Sequence, residues 1–382
     1  MKKIITVIGA RPQIIKAAAI SRCIRNQFKD ELQEVLLHTG QHFDNNMSGT
    51  FFEELEIPQP NYNLHIQSSL HGDQTAQMLK GIEEKIEIEK PDAVLLYGDT
   101  NSTLAGALAA SKVHIPIIHV EAGLRSFNKS MPEEINRIVA DHCSSLLFSP
   151  TPTGIENLKN EGFDFEQKSP YSVDKPGVFL CGDIMLDNSL YFAKKTGVDF
   201  LKEHAIEPNN YFLATIHRPQ NTDNPERLEA IFEALMEIAQ EEKITFVLPL
   251  HPRTEHKLKE FHAALWKKIN SVSYVKILPP TSFLEMIALE SNARFIATDS
   301  GGVQKEAFFF QKPALILRSE TEWVEICDQN NALLVDADKN RIKKGIHWMK
   351  NEMNKEYKSI FGDGDASAFI CNEIVKFLNQ PK

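Results

Sequence analysis

Two apolar runs in the first third of the chain end abruptly in acid and glycine: Leu96-Tyr97-Gly98-Asp99-Thr100-Asn101 and, one strand later, His119-Val120-Glu121-Ala122-Gly123. In a parallel α/β sheet such residues stand at the carboxyl ends of neighbouring strands, the edge at which these sheets take ligands. Glu133 and Glu134 follow in Pro132-Glu133-Glu134-Ile135-Asn136-Arg137, at the start of the next helical pattern. Several carboxyl groups converging on one crevice suit proton transfer by general acids and bases.

Other strand ends carry cations and glycines. The first apolar run closes in Gly9-Ala10-Arg11-Pro12-Gln13-Ile14-Ile15-Lys16, where glycine lets backbone approach a ligand and Pro12 suits a first helical turn. Arg11 can bind phosphate there through paired hydrogen bonds, and Lys16 adds a point charge one turn on. The plainer reading makes Arg11 a loop cap and Lys16 a solvated charge. His217 and Arg218 follow the run Tyr211–Ile216. An imidazole so placed can hydrogen-bond a diphosphate oxygen, or protonate a leaving group, near neutral pH. Leu250-His251-Pro252-Arg253 repeats that logic, with a rigid proline turn as an equal explanation. Thr298-Asp299-Ser300-Gly301-Gly302-Val303 passes from strand through Ser-Gly-Gly into a helix. That leaves backbone N–H groups and the positive end of the helix dipole for an anion. Ser300 adds a hydroxyl donor, and Glu306, one turn on, can accept hydrogen bonds from ribose hydroxyls. Phe283 reads as core, with contact to a base as the alternative. His38 and His42 are four apart, but Thr39-Gly40-Gln41 between them reads as a turn, so no metal site is expected.

These segments need a scaffold. A chain of 382 residues exceeds one typical core, so two domains are expected. With 42% hydrophobic and 25% charged residues there is no case for disorder. The net charge of -10 argues against nucleic acid as the main partner, though a locally basic pocket can still hold phosphate. No GxGxxG motif occurs, which disfavours NAD. Five scattered cysteines without a CxxC pair argue against a zinc site or disulfide framework and for a reducing compartment. The apolar run after Lys2-Lys3 is too short for a leader and is interrupted at Arg11, and no run is long enough to span a bilayer. The expected location is the cytoplasm, with no membrane partner.

Short β-rich runs at Ile4–Ile8, Glu34–His38, Ala93–Tyr97, Ile115–Val120 and Leu146–Ser149 alternate with helical patterns. Phe163–Pro176 reads as a linker, and Val178–Cys181 as the opening of a second unit. The alternation then resumes from Tyr211 to Asn351, with one helix read over Glu255–Ile269. Unbroken apolar runs suit strands covered on both faces, and the βαβα order implies a doubly wound α/β structure.

The segments GARPQxIK (Gly9–Lys16), GDTNST (Gly98–Thr103), HVEAGLRS (His119–Ser126), PEEINR (Pro132–Arg137), HR (His217–Arg218), LHPR (Leu250–Arg253), DSGGVQKEA (Asp299–Ala307) and RxxTE (Arg318–Glu322) occur in one order along almost the whole chain. Together they closely resemble the non-hydrolysing UDP-N-acetylglucosamine 2-epimerase family. The resemblance implies a GT-B-like fold of two Rossmann-like doubly wound domains, with the substrate in an interdomain cleft. The expected division is residues 1–172, with a terminal helix at 365–382 packing back on them, and a UDP-binding domain at 173–364. A homodimer is also implied.

The implied reaction inverts C2 of a UDP-linked acetamido sugar without a cofactor, through UDP elimination to a glycal and re-addition. On matching positions Asp99, Glu121 and Glu133 become the acid and base candidates. Arg11, His217, Ser300, Gly301 and Gly302 would bind the diphosphate, with His217 counted among the catalytic groups. Glu306 would bind ribose, Lys16 and Arg137 would orient carboxylates or the sugar, and Arg318 would join the substrate-binding set. Many members carry Glu at the positions of Gln13 and Lys305, and TERPE where this chain has Thr321-Glu322-Trp323-Val324-Glu325. Those departures resemble the branch acting on UDP-2,3-diacetamido-2,3-dideoxy-D-glucuronate, which makes the manno epimer for surface polysaccharide such as lipopolysaccharide O-antigen. A neutral Gln13 would reduce repulsion of a uronate carboxylate. The alternatives are plain UDP-N-acetylglucosamine, a hydrolysing relative releasing UDP, a GT-B glycosyltransferase, and a non-catalytic sugar-nucleotide binder.

Overall fold

The computed structural model describes residues 1–40, 52–68 and 70–381; Gln41 and His42, and so the His38/His42 spacing, lie outside the described residues. The chain divides into two compact units, Met1–Asn188 with Ser359–Lys382, and Ser189–Lys358. In the first unit the described strands are β1 (Lys2–Ile8), β2 (Leu32–His38), β3 (Tyr62–Asn63), β4 (Ala93–Tyr97), β5 (Ile117–Val120), β6 (Leu146–Ser149) and β7 (Gly177–Leu180). They form a parallel sheet in the order β3-β2-β1-β4-β5-β6-β7. Residues 4–8 of β1 and all of β4 are buried on both faces, which is why neither shows a polar and apolar alternation.

The second unit repeats the plan. Its strands are β8 (Tyr211–Thr215), β9 (Thr245–Pro249), β10 (Val275–Leu278), β11 (Phe295–Thr298), β12 (Ala314–Ile316) and β13 (Ala332–Leu334). They pair in parallel in the order β10-β9-β8-β11-β12-β13. Phe212 on the central strand stacks on Phe246 and on Phe295, each at a centroid distance of 4.9 Å, and pins three adjacent strands together. Both sheets therefore reverse strand order once, between β1 and β4 and between β8 and β11. Those reversals are where loops from adjacent strands diverge and a ligand can enter. None of the described helices is long and apolar enough to cross a membrane.

Three expectations need correction. Val178–Cys181 does not open the second unit: Gly177–Leu180 is β7, the edge of the first sheet, paired with β6 from Leu146↔Gly177 to Ser149↔Leu180. The rings of Phe148 and Phe179 stack at 5.4 Å across that pairing, so the first unit continues past 172 to Asn188. The pattern read as one helix over Glu255–Ile269 is two, Pro252–Phe261 and Ala263–Ser271, broken at His262, whose φ of −137° and ψ of 56° no helix accommodates. The returning segment contributes more than the terminal helix, since residues from Ser359 onward already belong to the first unit. The helix Ala366–Leu378 packs on Arg11–Gln27, and Asp187 caps it from a distance by accepting the N–H groups of Ala366 (3.2 Å) and Ser367 (2.7 Å).

A buried ionic cluster fixes the turn after β4. His119, on β5, reaches Asp141 Oδ1 through Nδ1 and the Gly98 carbonyl through Nε2, both at 2.7 Å. Asp141 is fully buried, and also accepts from Arg125 at 2.7 Å and from the Gly123 N–H at 3.1 Å. Burial acts to raise its pKa, but His119 and Arg125 outweigh that and hold it below the usual range. The D141A variant leaves these donors unpaired and is expected to lose about 3–5 kcal/mol of unfolding free energy. Because the folded-state pKa is depressed, the native residue's contribution is complete above the unfolded value of about 4 and is lost as the pH falls below it. Urea titrations of wild type and D141A across that range should show a constant gap that closes only in acid.

Candidate active site

At the first reversal a single amide joins the two loops. Gln13 is 1% exposed. Its Oε1 accepts the N–H groups of Gly9 (2.9 Å) and Ala10 (3.1 Å), while Nε2 donates to the Tyr97 carbonyl and to Thr103 Oγ1, both at 3.0 Å. All its hydrogen-bonding capacity is directed into the protein, so Gln13 braces the two loops against each other. Next to it, Gly98 has a φ of +60°. A β-carbon there would lie 3.0 Å from Glu121 Oε2 and 3.2 Å from Lys16 Nζ, so glycine is what lets that ion pair approach the turn.

Four of the expected residues gather at this turn. Lys16 Nζ pairs with Glu121 Oε2, and Arg137 Nη2 pairs with Asp99 Oδ2. Glu121 also contributes to the field at Arg137, so both acids share one cationic surround. Lys16 and Arg137 thus each stand against a carboxylate. Asn136 donates to the Asp99 carbonyl at 2.8 Å, which ties the helix Pro132–Cys143 to the end of β4. Glu121 holds a φ of +75°, a left-handed conformation that costs a non-glycine residue about 1–3 kcal/mol and that clusters at functional sites.

The Glu133–Glu134 pair divides. Glu133 is exposed on the first helical turn, outside the bonded cluster. Glu134 is 1% exposed and accepts from Ser126 N (2.9 Å), Ser126 Oγ (3.0 Å), Phe127 N (2.9 Å) and Arg137 Nη1 (2.9 Å). Burial would raise its pKa, but those donors win and keep it ionised below the usual range. It therefore folds the 126–131 loop back and steers Arg137 toward Asp99. Arg11 is exposed at the start of its helix, with the Glu54 carboxylate nearby.

At the second reversal a carboxylate does the joining. Asp299 is fully buried and accepts from His217 N, Arg218 N and Asn221 Nδ2, each at 3.1 Å. It also stands 3.4 Å from His217 Nδ1. Burial lowers the His217 pKa, Asp299 pulls it back, and His251 and Arg218 add to the lowering. The net direction leaves a neutral imidazole at neutral pH. Ser300 is the N-cap of the helix Gly301–Phe309 but does not turn its hydroxyl onto the first-turn N–H groups. Around that N-terminus stand Glu322 Oε2, Trp323 Nε1 and Arg218 Nη2, at 3.6, 3.7 and 3.8 Å from where a Gly301 β-carbon would be. Arg318, 7% exposed, grips Glu322 through two bonds of 2.7 and 3.1 Å. Lys305 lies 4.3 Å over the Trp323 ring.

Neither Gly301 nor Gly302 has a positive φ, and a β-carbon at either position meets nothing closer than ordinary van der Waals contact. The chain's own packing does not require these glycines. Two glycines at a helix N-terminus leave its N–H groups open to close approach, a geometry that suits an anion. Glu306 is half-buried on the same helix. Phe283 is 7% exposed and packs edge-on against Phe192 at 5.9 Å. His251 is spent as the cap of Pro252–Phe261, and Arg253 pairs with Asp223. Sequence reasoning gave no role to Gln13 as a brace, Asn136, Asp141, Asn221 or Asp299, and it counted Glu134 among the converging acids, not as a brace. Asp299 carried the same signal as Asp99, an acid at a strand end.

The fold and both reversals define an α/β protein of the GT-B-like class, with paired carboxylates at one reversal and a glycine-opened helix N-terminus at the other. Residues 25–375 match the family described as UDP-N-acetylglucosamine 2-epimerase. A UDP-N-acetylglucosamine 2-epimerase homolog of Methanococcus maripaludis is 49% identical over 98% of this chain and 100% of its own length. The UDP-2,3-diacetamido-2,3-dideoxy-D-glucuronate 2-epimerase of Pseudomonas aeruginosa is 47% identical over 98% and 99%. The crystal structure of Methanocaldococcus jannaschii UDP-GlcNAc 2-epimerase in complex with UDP-GlcNAc and UDP superposes with a TM-score of 0.81 at 40% identity, over 98% of this chain and 99% of that one. The chain belongs to the UDP-N-acetylglucosamine 2-epimerase family and is an isomerase.

Because Gly302 tolerates a methyl group sterically, G302A is expected to keep or raise stability, by up to about 1 kcal/mol through helix propensity. The same methyl obstructs the N–H groups, so UDP affinity should fall at least about tenfold, a loss of about 1.4 kcal/mol. Calorimetry of UDP binding beside thermal unfolding checks both signs.

Proposed function

We propose that the chain epimerises C2 of a UDP-linked 2-acetamido sugar by elimination and re-addition of UDP. The observation that carries this reading is the pair Asp99 and Glu121, two carboxylates at the ends of adjacent strands, each anchored on its own cation. A carboxyl group takes the C2 proton, the C–H electrons form the C1–C2 double bond, and UDP leaves with the C1–O electrons. UDP then re-forms its bond to C1 while a proton returns to the opposite face of C2. The sequence is redox-neutral and needs protonatable groups on both faces of the ring, drawn from Asp99, Glu121 and Glu133. Departure of the diphosphate is stabilised by Arg11, Ser300, the N–H groups of Gly301 and Gly302, and His217, whose imidazole N–H donates a hydrogen bond to it. Glu306 accepts the ribose hydroxyls, and Arg318 acts by holding Glu322 at the anion site.

Within this class we favour UDP-2,3-diacetamido-2,3-dideoxy-D-glucuronate, converted to the D-mannuronate form for surface polysaccharide. What supports it is the 47% identical relative named for that substrate, together with Lys305 and Trp323 packed on each other beside the anion site. Plain UDP-N-acetylglucosamine is the second reading, supported by the 40% identical relatives named for it.

Incubation in D2O with each nucleotide sugar, followed by proton NMR, is expected to show deuterium at C2 and a mixture of epimers, faster for the diacetamido uronate. No exchange with any UDP-acetamido sugar would refute the proposal, and stoichiometric free UDP would point to a hydrolysing enzyme. D99N and E121Q should each lose about 10²–10⁴-fold in kcat while keeping UDP affinity within a few-fold.

A further inference from the structure

The helix Phe283–Asn292 of the second unit carries a glutamate that the site described above does not use. Glu290 is 0% exposed, and neither of its carboxyl oxygens takes a hydrogen bond from an N–H or hydroxyl donor. The nearby Tyr211 hydroxyl does not supply one, since it donates to the Leu289 carbonyl. The ionisable group facing Glu290 at hydrogen-bonding range is the carboxyl of half-buried Glu306, on the neighbouring helix Gly301–Phe309.

Two carboxyl groups in contact are not readily ionised together when one of them, like Glu290, is fully buried with no donor on either oxygen. One shared proton converts the same contact from repulsion into a charge-assisted hydrogen bond. Burial, and then the Glu306 charge, raise Glu290 well above the ordinary carboxylate range, so the proton belongs to the deeper group. We propose that Glu290 is a positioning residue: its carboxyl O–H donates to one oxygen of Glu306 and thereby presents the other to the ribose hydroxyls of the nucleotide. The inference rests on the reading of Glu306 as the ribose ligand. It gives a reason for a carboxylic acid where an apolar residue would otherwise pack, one helix away from the ligand.

The test is calorimetric affinity of the full chain for UDP and for 2′,3′-dideoxy-UDP, in wild type, E306Q, E290M and E290Q. E290M is expected to bind UDP about tenfold more weakly, the scale of one hydrogen bond to a charged group, while binding the dideoxy analogue as wild type does. E290Q, whose amide can still donate to Glu306, should stay within about threefold of wild type for both ligands. In turnover E290M should raise KM and leave kcat within about twofold. An infrared band of a protonated carboxyl at neutral pH, present in wild type and missing in E290Q, gives a readout that does not depend on E290M folding, and its absence from wild type would overturn the proposal. Equal losses for UDP and the dideoxy analogue in E290M would also overturn it, as would E290M binding UDP like wild type beside a weakened E306Q. Unchanged UDP binding in E306Q would overturn the ribose reading and this inference together.

Discussion

At each reversal of strand order one buried polar side chain ties together the two loops that diverge there. The choice of side chain follows from counting donors and acceptors. In the first unit the partners are mixed: two backbone N–H groups on one side, a carbonyl and a hydroxyl on the other. A side-chain amide accepts two bonds at its oxygen and donates two from its nitrogen, and the residue is Gln13. In the second unit the partners are all donors, from His217, Arg218 and Asn221, and the residue is the carboxylate Asp299. Asn221 then passes the connection on, donating to the Leu317 carbonyl at 2.9 Å and accepting from Arg227. Buried loop N–H groups must be paired somewhere, and pairing them on one side chain also fixes where Arg11, Asp99, His217 and Ser300 emerge.

The same plan serves two different chemistries because the loops differ in charge. The first unit places anionic side chains on fixed cations: Asp99 on Arg137, Glu121 on Lys16, with Glu134 steering Arg137 from behind. Such acids are held in place before a sugar arrives, and the left-handed backbone at Glu121 is the local strain that goes with that placement. The second unit instead leaves a helix N-terminus clear, with two glycines that no intramolecular contact requires. The first unit thus offers carboxylates held on cations, and the second offers helix N–H groups, which are the two kinds of group that the proposed elimination calls for.

The alternation of strands and helices, the strand ends and the Ser-Gly-Gly helix start were legible because each is local: an apolar run followed by glycine or acid within a few residues. What was not legible depends on partners distant in sequence. Gln13 reads as a helix residue until Tyr97 and Thr103 are brought beside it. Glu133 and Glu134 are indistinguishable by composition, and only the fold of the 126–131 loop onto Glu134 separates a buried brace from an exposed candidate acid. The run at Val178 looked like a beginning because a polar, proline-containing stretch precedes it, yet edge pairing with β6 and the ring of Phe148 claim it for the first sheet. At His262 an apolar period that continues on both sides concealed a break in the backbone.

The central claim is that removal of the C2 proton and departure of UDP are parts of one elimination. A substrate carrying ¹⁸O in the bridge between C1 and the β-phosphorus tests it most directly when turned over in D2O. If UDP leaves and returns, the label must move from the bridge into the non-bridging β-phosphate positions as deuterium enters C2. Deuterium entering C2 while every ¹⁸O stays in the bridge would contradict the account.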